Sequence, residues 1–572
     1  MAQAKAALSQ VACQVMWNRL ISIVEEQAQA LVRTAFSTSV REAGDLSAGV
    51  YDAGGAMLAQ AVTGTPGHVN AMADAVPHFI RTIGRDSMAE GDVYLTNDPW
   101  EGTGHMHDIT VVTPSFHRGA LIGFFACTAH IVDIGGRGFG ADAQSIYEEG
   151  LHLPIMRFAS RGRVDQTLIA IIRANVREPD QLVGDLYALA SCNEIGHRRL
   201  TGMVGEFGLE DLAGISDFIL GASRRATLER INALTPGTAD AAMRIDGYDR
   251  PIDLKVRLTI ECDRILCDWS GTSGVDVKGI NVPLVYTKAY SCYALKCAIA
   301  PDIPNNAASL APFEVMAPVH SILNAVHPAP VALRHVIGHM LPDTLYGALD
   351  QLLPHTVPAE GAGCLCNFQL SLRPGSAVAP PPGARRAEVL TFNSGGAGAR
   401  PAFDGLNATA FPSGVMTMPV EATEQVGPVI IWRKELRPDS GGYGQYRGGL
   451  GQFMEVGAYT GHEFDFQAMF DRLHHPARGR QGGGAGAATT IARDDGTVMK
   501  GKGKQFVAEG RRVCMAFPGG AGYGRAAKRD PAQVRRDLAL GYISAAAAQR
   551  DYGLSAGDCA DVIRRAELGE VF

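Results

Sequence analysis

Two imidazoles and a carboxylate, His105, Asp108 and His130, stand in a stretch whose chain geometry can carry them to one point. From Asn97 the sequence reads NDPWEGTGHMHD, then ITVVTPSF, HRG and ALIGFFACTAH. Segments 109–116 and 120–129 are rich in Val, Ile, Phe and Thr, and the short Gly-bearing turn His117-Arg118-Gly119 divides them, which is a hairpin pattern. Antiparallel pairing about Arg118 opposes residues whose numbers sum to roughly 236–238. Asp108 then enters the first strand where His130 leaves the second, with His105 three residues earlier in the approach loop. Such a donor set suits a divalent cation of the Zn or Mn type. A single histidine at a strand end is more often a hydrogen-bonded structural residue. The HxHD cluster together with a matched His130 is what turns the reading towards a metal.

These residues need a scaffold. From Val15 to Phe36 the apolar residues Val15, Leu20, Ile21, Val24, Ala28, Leu31, Val32 and Ala35 recur at helical spacing, which predicts a long amphipathic helix. Leu46 to Tyr51 and Ala56 to Ala61 read as a hairpin around Asp52-Ala53-Gly54-Gly55, with Asp45 before it as a turn aspartate. His68 falls in the Pro/Gly segment TGTPGHVNAM, ahead of a helix over about 70–83. Glu148-Glu149 reads as a solvated helix end stopped by Gly150. Helices are expected over 164–175, 179–207 and 211–234. Past Pro236 strand-like runs dominate, beginning with the pair in IDLKVRLTIECDRILCDWSGTS. The fold class expected is mixed α+β: a large multi-domain chain with a helical, hairpin-rich half (1–236) carrying the metal site and a β-rich, glycine-rich half (237–572) that also holds helices. A Pro/Gly loop over 374–386 is expected to be exposed. The glycine strings at 393–405, 439–451, 480–488 and 517–524 read as turns or close backbone approaches.

At ~100–200 residues per domain, a length of this order implies two to four domains. The chain has 572 residues, 46% hydrophobic and 19% charged, with a net charge of −7. No basic face is visible, so nucleic-acid binding is unsupported. Eleven scattered cysteines without a CxxC pair point to reduced thiols and a cytoplasmic location. No apolar run reaches ~18 residues, so no membrane span is expected. No GxxxxGK[ST] string exists, and RGGLG and GGAGYG lack the strand–helix setting of a dinucleotide loop. The chain therefore offers no nucleotide site. No GxSxG elbow supports a serine hydrolase.

With these strings in view, the chain resembles the hydantoinase B/5-oxoprolinase B family. The resemblance rests on DLSAGVYDAGG (45–55), TPGHVNAM (65–72), NDPWEGTGHMHDITVVTP (97–114), AHIVDIGGRG (129–138), EEGLHLP (148–154) and NVREPDQLVGDLYA (175–188). PAFDGLN (401–407), ELRPDSGGYGQYRGGLG (435–451) and FPGGAGYG (517–524) extend it over nearly the whole chain. The resemblance implies one divalent metal, Zn or Mn, held by Asp45, His105, Asp108 and His130, with His68 and Asp133 near the substrate or behind the ligands. Many relatives read HHAD where this chain has His130-Ile131-Val132-Asp133, and His107 stands where Pro is frequent. Losing the second His bears on the metal's surroundings, with His107 a partial substitute.

The resemblance further implies the small (B) subunit of an ATP-dependent cyclic-amide hydrolase acting on hydantoin, 5-oxoproline or a lactam. A separate hydantoinase A-type ATPase would bind ATP and Mg and phosphorylate the substrate, in a hetero-oligomer such as A2B2. This chain would supply a metal-activated water. The alternative is an alpha-type subunit of an acetone- or acetophenone-type ketone carboxylase.

Overall fold

The computed structural model describes residues 9–63, 65–363, 365–375 and 386–569. Most of the expected 374–386 loop lies outside these residues. The first half is organised by one seven-stranded antiparallel sheet. Its strand order is Met57–Gln60, Leu46–Asp52, Ala120–His130, Asp108–His117, Val93–Thr96, Met156–Ser160, Arg163–Val164. The two longest strands form the expected hairpin. Arg118 (φ 51°) and Gly119 (φ 82°) make its two-residue turn, the positive-φ pair that matches the twist of the flanking strands. Asp108 pairs with His130 and Val112 with Ala126, each a sum of 238 in the expected register.

Both faces of this sheet are covered, which explains why its central strands are buried along almost their whole length. Phe125, Cys127, Ala129 and Val111 face the long helices Gln10–Thr34 and Pro179–Glu206. Phe124, Ala126, Val112 and Tyr94 face the helix Pro66–Ile83 through Met72, Val76 and Phe79. That helix begins a turn earlier than expected. Pro66 occupies its first turn, where a missing N–H does no harm, so His68 is helical rather than in a loop.

The second half carries a four-stranded sheet, Phe313–Met316, Ile265–Asp268, Ile252–Ile260, Gly237–Ile245, under the helices Leu284–Ile299 and Leu341–Leu352. Two further four-stranded sheets follow, and helices Pro531–Ala539, Ala545–Tyr552 and Ala556–Glu567 end the described chain. Among the described residues no helix is long and apolar enough to cross a membrane. The apolar core of this half takes in Ala43, Val132, Phe139 and Ala141 from the first. The halves also meet where Gly67 lies under two tyrosines. A Cβ there would stand 2.4 Å from Tyr286 and 2.7 Å from Tyr290.

The glycine strings are chiefly close approaches, with a turn at Gln481-Gly482. Extended segments around 396–398, 441–451, 483–486 and 519–524 lie side by side, and each reaches a different neighbour. Gly396 N–H donates to Pro518, Gly449 to Ala397, Gly520 to Gly449 and Gly522 to Gly484. A Cβ on Gly520 would sit 2.0 Å from the Ala397 carbonyl oxygen, and one on Gly448 1.9 Å from that of Gly520. Only hydrogen fits between such backbones.

Glu149 departs from the solvated reading. Gly150 does not leave it in water. The side chain turns inward, 2% exposed, and accepts the N–H groups of Val331 (2.6 Å) and Ala332 (2.9 Å). Burial pushes its carboxyl up to about 8, against those two hydrogen bonds. Its neighbour Glu148 pairs with Arg137.

Three outcomes follow for unfolding experiments. Gly520→Ala is expected to destabilise by about 3 kcal/mol or more. Gly202→Ala, within a helix and with open space around it, is expected to stabilise by about 0.5–1 kcal/mol. Glu149 keeps its proton in the folded chain up to about pH 8 but loses it near 4.5 when unfolded. Its contribution to stability therefore falls as pH rises through that window. Glu149→Gln should match the parent in Tm near pH 4.5 and exceed it near pH 8; equal pH profiles would refute this.

Candidate metal centre

The hairpin register delivers Asp108 and His130 to one end of the sheet, and the preceding loop folds His105 back over them. Asp108 is buried at the centre. Its Oδ1 lies 2.7 Å from His105 Nε2 and 3.1 Å from His130 Nδ1. Its Oδ2 accepts from Thr103 Oγ1 (2.7 Å), His68 Nε2 (2.8 Å) and the Arg334 guanidinium. Donor atoms of His105, Asp108 and His130 all fall within 4.8 Å of one another. Asp45 is not in that set. It lines a small cavity together with His68, His105 and His130, accepts Thr65 Oγ1 at 2.7 Å, and lies 3.6 Å from His68 Nδ1.

The protonation pattern decides what this cluster can hold. His105 Nδ1 lies 2.8 Å from the carbonyl of Ala332, which can only accept, so the ring proton sits on Nδ1. Burial, with Arg334 beside it, pushes the His105 imidazolium down to about 4, so the ring is neutral at pH 7. Nε2 then presents a lone pair to a carboxylate. Although burial opposes ionisation, the N–H donors of His68 and Arg334 hold Asp108 well below the usual carboxylate range. Two lone pairs 2.7 Å apart repel unless a cation lies between them. This donor chemistry fits a divalent ion. The Ala332 carbonyl serves as the outer partner that fixes a ligating imidazole's tautomer, and Glu149 in turn holds the Ala332 backbone.

His68 differs from His105. Burial would lower its pKa, but the Asp108 and Asp45 carboxylates outweigh that and raise it. Its Nδ1 has no hydrogen-bond partner.

Asp133 is not brought to the cavity. Its Oδ1 accepts Gly135 N–H, its Oδ2 accepts the N–H groups of Arg177 and Glu178, and Arg177 pairs with it at 2.6 Å. These bonds pin the 133–138 loop to the start of the helix Pro179–Glu206. His107 lies behind His130, their rings stacked with centroids 5.6 Å apart, and its Nδ1 reaches the Ile131 carbonyl at 2.9 Å.

The cavity, about 20 Å³, has room for a water or an ion. Its opposite wall comes from the second half: Tyr286, Arg334, His335, His339, Leu365, Asn367, Phe392 and Ser413. Arg334 stacks on Tyr286 at 3.9 Å and donates to the Thr103 carbonyl, which locks it in place. Sequence reasoning did not single out this wall. Its one local signal is RHVIGH, where two histidines fall four apart on a helical turn. Five polar atoms of the lining lack partners: His68 Nδ1, His130 Nε2, His335 Nε2, His339 Nδ1 and Asn367 Oδ1. An unpartnered buried polar atom costs about 1–3 kcal/mol, so five at one cavity mark a place built to receive something.

Known proteins share this arrangement of chain. The chain is 27% identical to the B component of a putative D-/L-hydantoinase of Pseudomonas sp. (strain NS671), over 96% of each. It is 27% identical to a 5-oxoprolinase of Dictyostelium discoideum, with 91% of this chain matched but spanning 40% of that longer protein. Its fold matches an ATP-dependent caprolactamase of Pseudomonas jessenii (TM-score 0.85, 23% identity, 98% of this chain and 100% of that one). It matches an acetone carboxylase equally well (TM-score 0.86, 17% identity, 99% of this chain and 85% of that one). The family model described as hydantoinase B/oxoprolinase matches residues 9–526, and the chain belongs to that family.

Proposed function

We propose that this chain is the B-type subunit of an ATP-dependent cyclic-amide hydrolase, working with a hydantoinase A-type ATPase that carries ATP and Mg. The observation that carries the reading is the convergence of His105 Nε2, Asp108 Oδ1 and His130 Nδ1 at one buried point, with His105 Nδ1 committed to the Ala332 carbonyl. His105, Asp108 and His130 would hold one divalent ion, Zn or Mn, with Asp45 as the fourth ligand at the same cavity. An ion held there would supply Lewis acidity towards an acyl oxygen and a water with a pKa towards ~7.

The chain's own residues have separate tasks. Thr103 and Arg334 hold Asp108 Oδ2, so Oδ1 stays directed at the imidazoles. His68 Nδ1 faces the cavity beside Asp45 without a partner, so it is the atom placed to accept a proton from the attacking water. An amide is a poor electrophile. Phosphorylation of its oxygen by the partner would supply the leaving group. The Pseudomonas relative is named as one component of a hydantoinase, which supports such a partner. The 5-oxoprolinases, more than twice this length, are consistent with both parts in one chain.

Elemental analysis of the purified chain should find about one Zn or Mn per molecule. Alanine at His105, Asp108 or His130 should weaken metal affinity by ~100-fold or more. His68→Ala should retain the metal while kcat falls roughly 100-fold or more in the reconstituted complex. Ring opening of hydantoin, 5-oxoproline or caprolactam should require ATP and the partner. ATP-dependent fixation of labelled bicarbonate into a ketone instead would establish the carboxylase alternative. Metal-free, fully active protein would overturn the metal reading.

A further inference from the structure

The wall opposite the metal-side residues has chemistry of its own. His335 and His339 project one helical turn apart, their ring centroids 5.6 Å from each other. Neither has a carboxylate partner among the ion pairs of the described residues. His335 stacks on Phe139 at 5.6 Å, and His339 meets Tyr290 edge-on at 5.1 Å. Burial, each other's rings and Arg334 hold His335 well below the ordinary imidazole range, and burial with Arg334 pushes His339 down to about 3. Both rings are neutral, so each carries one N–H. Tyr286 Oη approaches His339 Nε2 at 3.5 Å. With the hydroxyl donating there, the His339 proton sits on Nδ1, the atom without a partner. His335 Nε2 and Asn367 Oδ1 are unpartnered on the same wall. Arg334 adds fixed positive charge next to them, already locked onto Asp108 and Thr103.

We propose that His335, His339 and Asn367 form an anion-binding subsite facing the metal residues, which holds the phosphate-type or carboxylate oxygens of the reacting molecule. Neutral imidazole N–H groups fixed in a dry wall can donate to a developing oxyanion with little reorganisation. The Asn367 amide presents its NH2 or its oxygen according to its flip. At about 20 Å³ the cavity is too small for phosphate until a wall moves. Phe139, between Gly138 and Gly140, has its ring against four of the imidazoles and is the side chain best placed to yield.

This subsite rests on the metal reading, so its test keeps the two apart. The full chain is loaded with cobalt(II) and titrated calorimetrically with inorganic phosphate and, separately, acetate. His335→Gln, His339→Gln and Asn367→Asp are treated alike, and the same titrations are run without metal. The expected result is wild-type cobalt content and an unchanged cobalt spectrum before anion is added. The dissociation constant for one or both anions should rise roughly 10-fold or more in each variant. Phosphate alone being affected assigns the subsite to a phosphoryl group, and acetate alone to a carboxylate. Loss of cobalt from the histidine variants would make those residues ligands and overturn the proposal. Unchanged anion affinity, or a wild-type chain that binds neither anion, would also overturn it. A wild-type chain that takes up no cobalt removes the metal reading, and the metal-free titrations then still decide the subsite.

Discussion

One carboxylate fixes the chemistry of this protein. Asp108 is buried at the head of a hairpin, ionised, and faced by a neutral His105 whose single ring proton is committed elsewhere. A buried charge without compensation is expensive, and removing one partner of a buried pair is strongly destabilising. The surroundings are arranged to meet that cost on one side only. Thr103, His68 and Arg334 satisfy Oδ2, while Oδ1 meets two imidazole nitrogens. The asymmetry leaves one oxygen and two imidazole nitrogens directed together, which is the minimum a divalent ion requires.

The fold exists to hold that arrangement from two sides. The seven-stranded sheet supplies Asp108 and His130 through hairpin register, and the helix starting at Pro66 brings His68. The second half supplies Arg334, the Ala332 carbonyl and the opposite wall. Gly67 lets the two halves close against Tyr286 and Tyr290. Glu149 ties the first half to the 331–332 backbone and so reaches His105 at one remove. The centre is therefore a property of the interface between the halves, and distortion of either one would reach the same carboxylate.

Local periodicity made the first half legible. The helix over 10–34, the 108–130 hairpin and its register follow from apolar spacing and a two-residue turn, and these place three of the six candidate site residues. Asp45 and His68 line the same cavity, a placement that the turn and loop readings of their own neighbourhoods did not contain. Asp133 shows the opposite case. It stands three residues from His130, yet backbone N–H groups and Arg177 claim both its oxygens. Glu149 reads as a solvated residue because its partners lie more than 180 positions away. Arg334, His335, His339 and Asn367 were out of reach for the same reason, since long-range contact leaves no periodic trace. The glycine strings left turns and close backbone approach both open, and which segment meets which is set by tertiary packing alone.

The most direct measurement is anomalous diffraction from crystals of the chain grown with zinc or manganese. A single strong peak between His105 Nε2, Asp108 Oδ1 and His130, with bonds of ~2.0–2.2 Å, is the predicted result. Difference density with no peak there, and a doubly protonated His105 hydrogen-bonded directly to Asp108, would contradict the account.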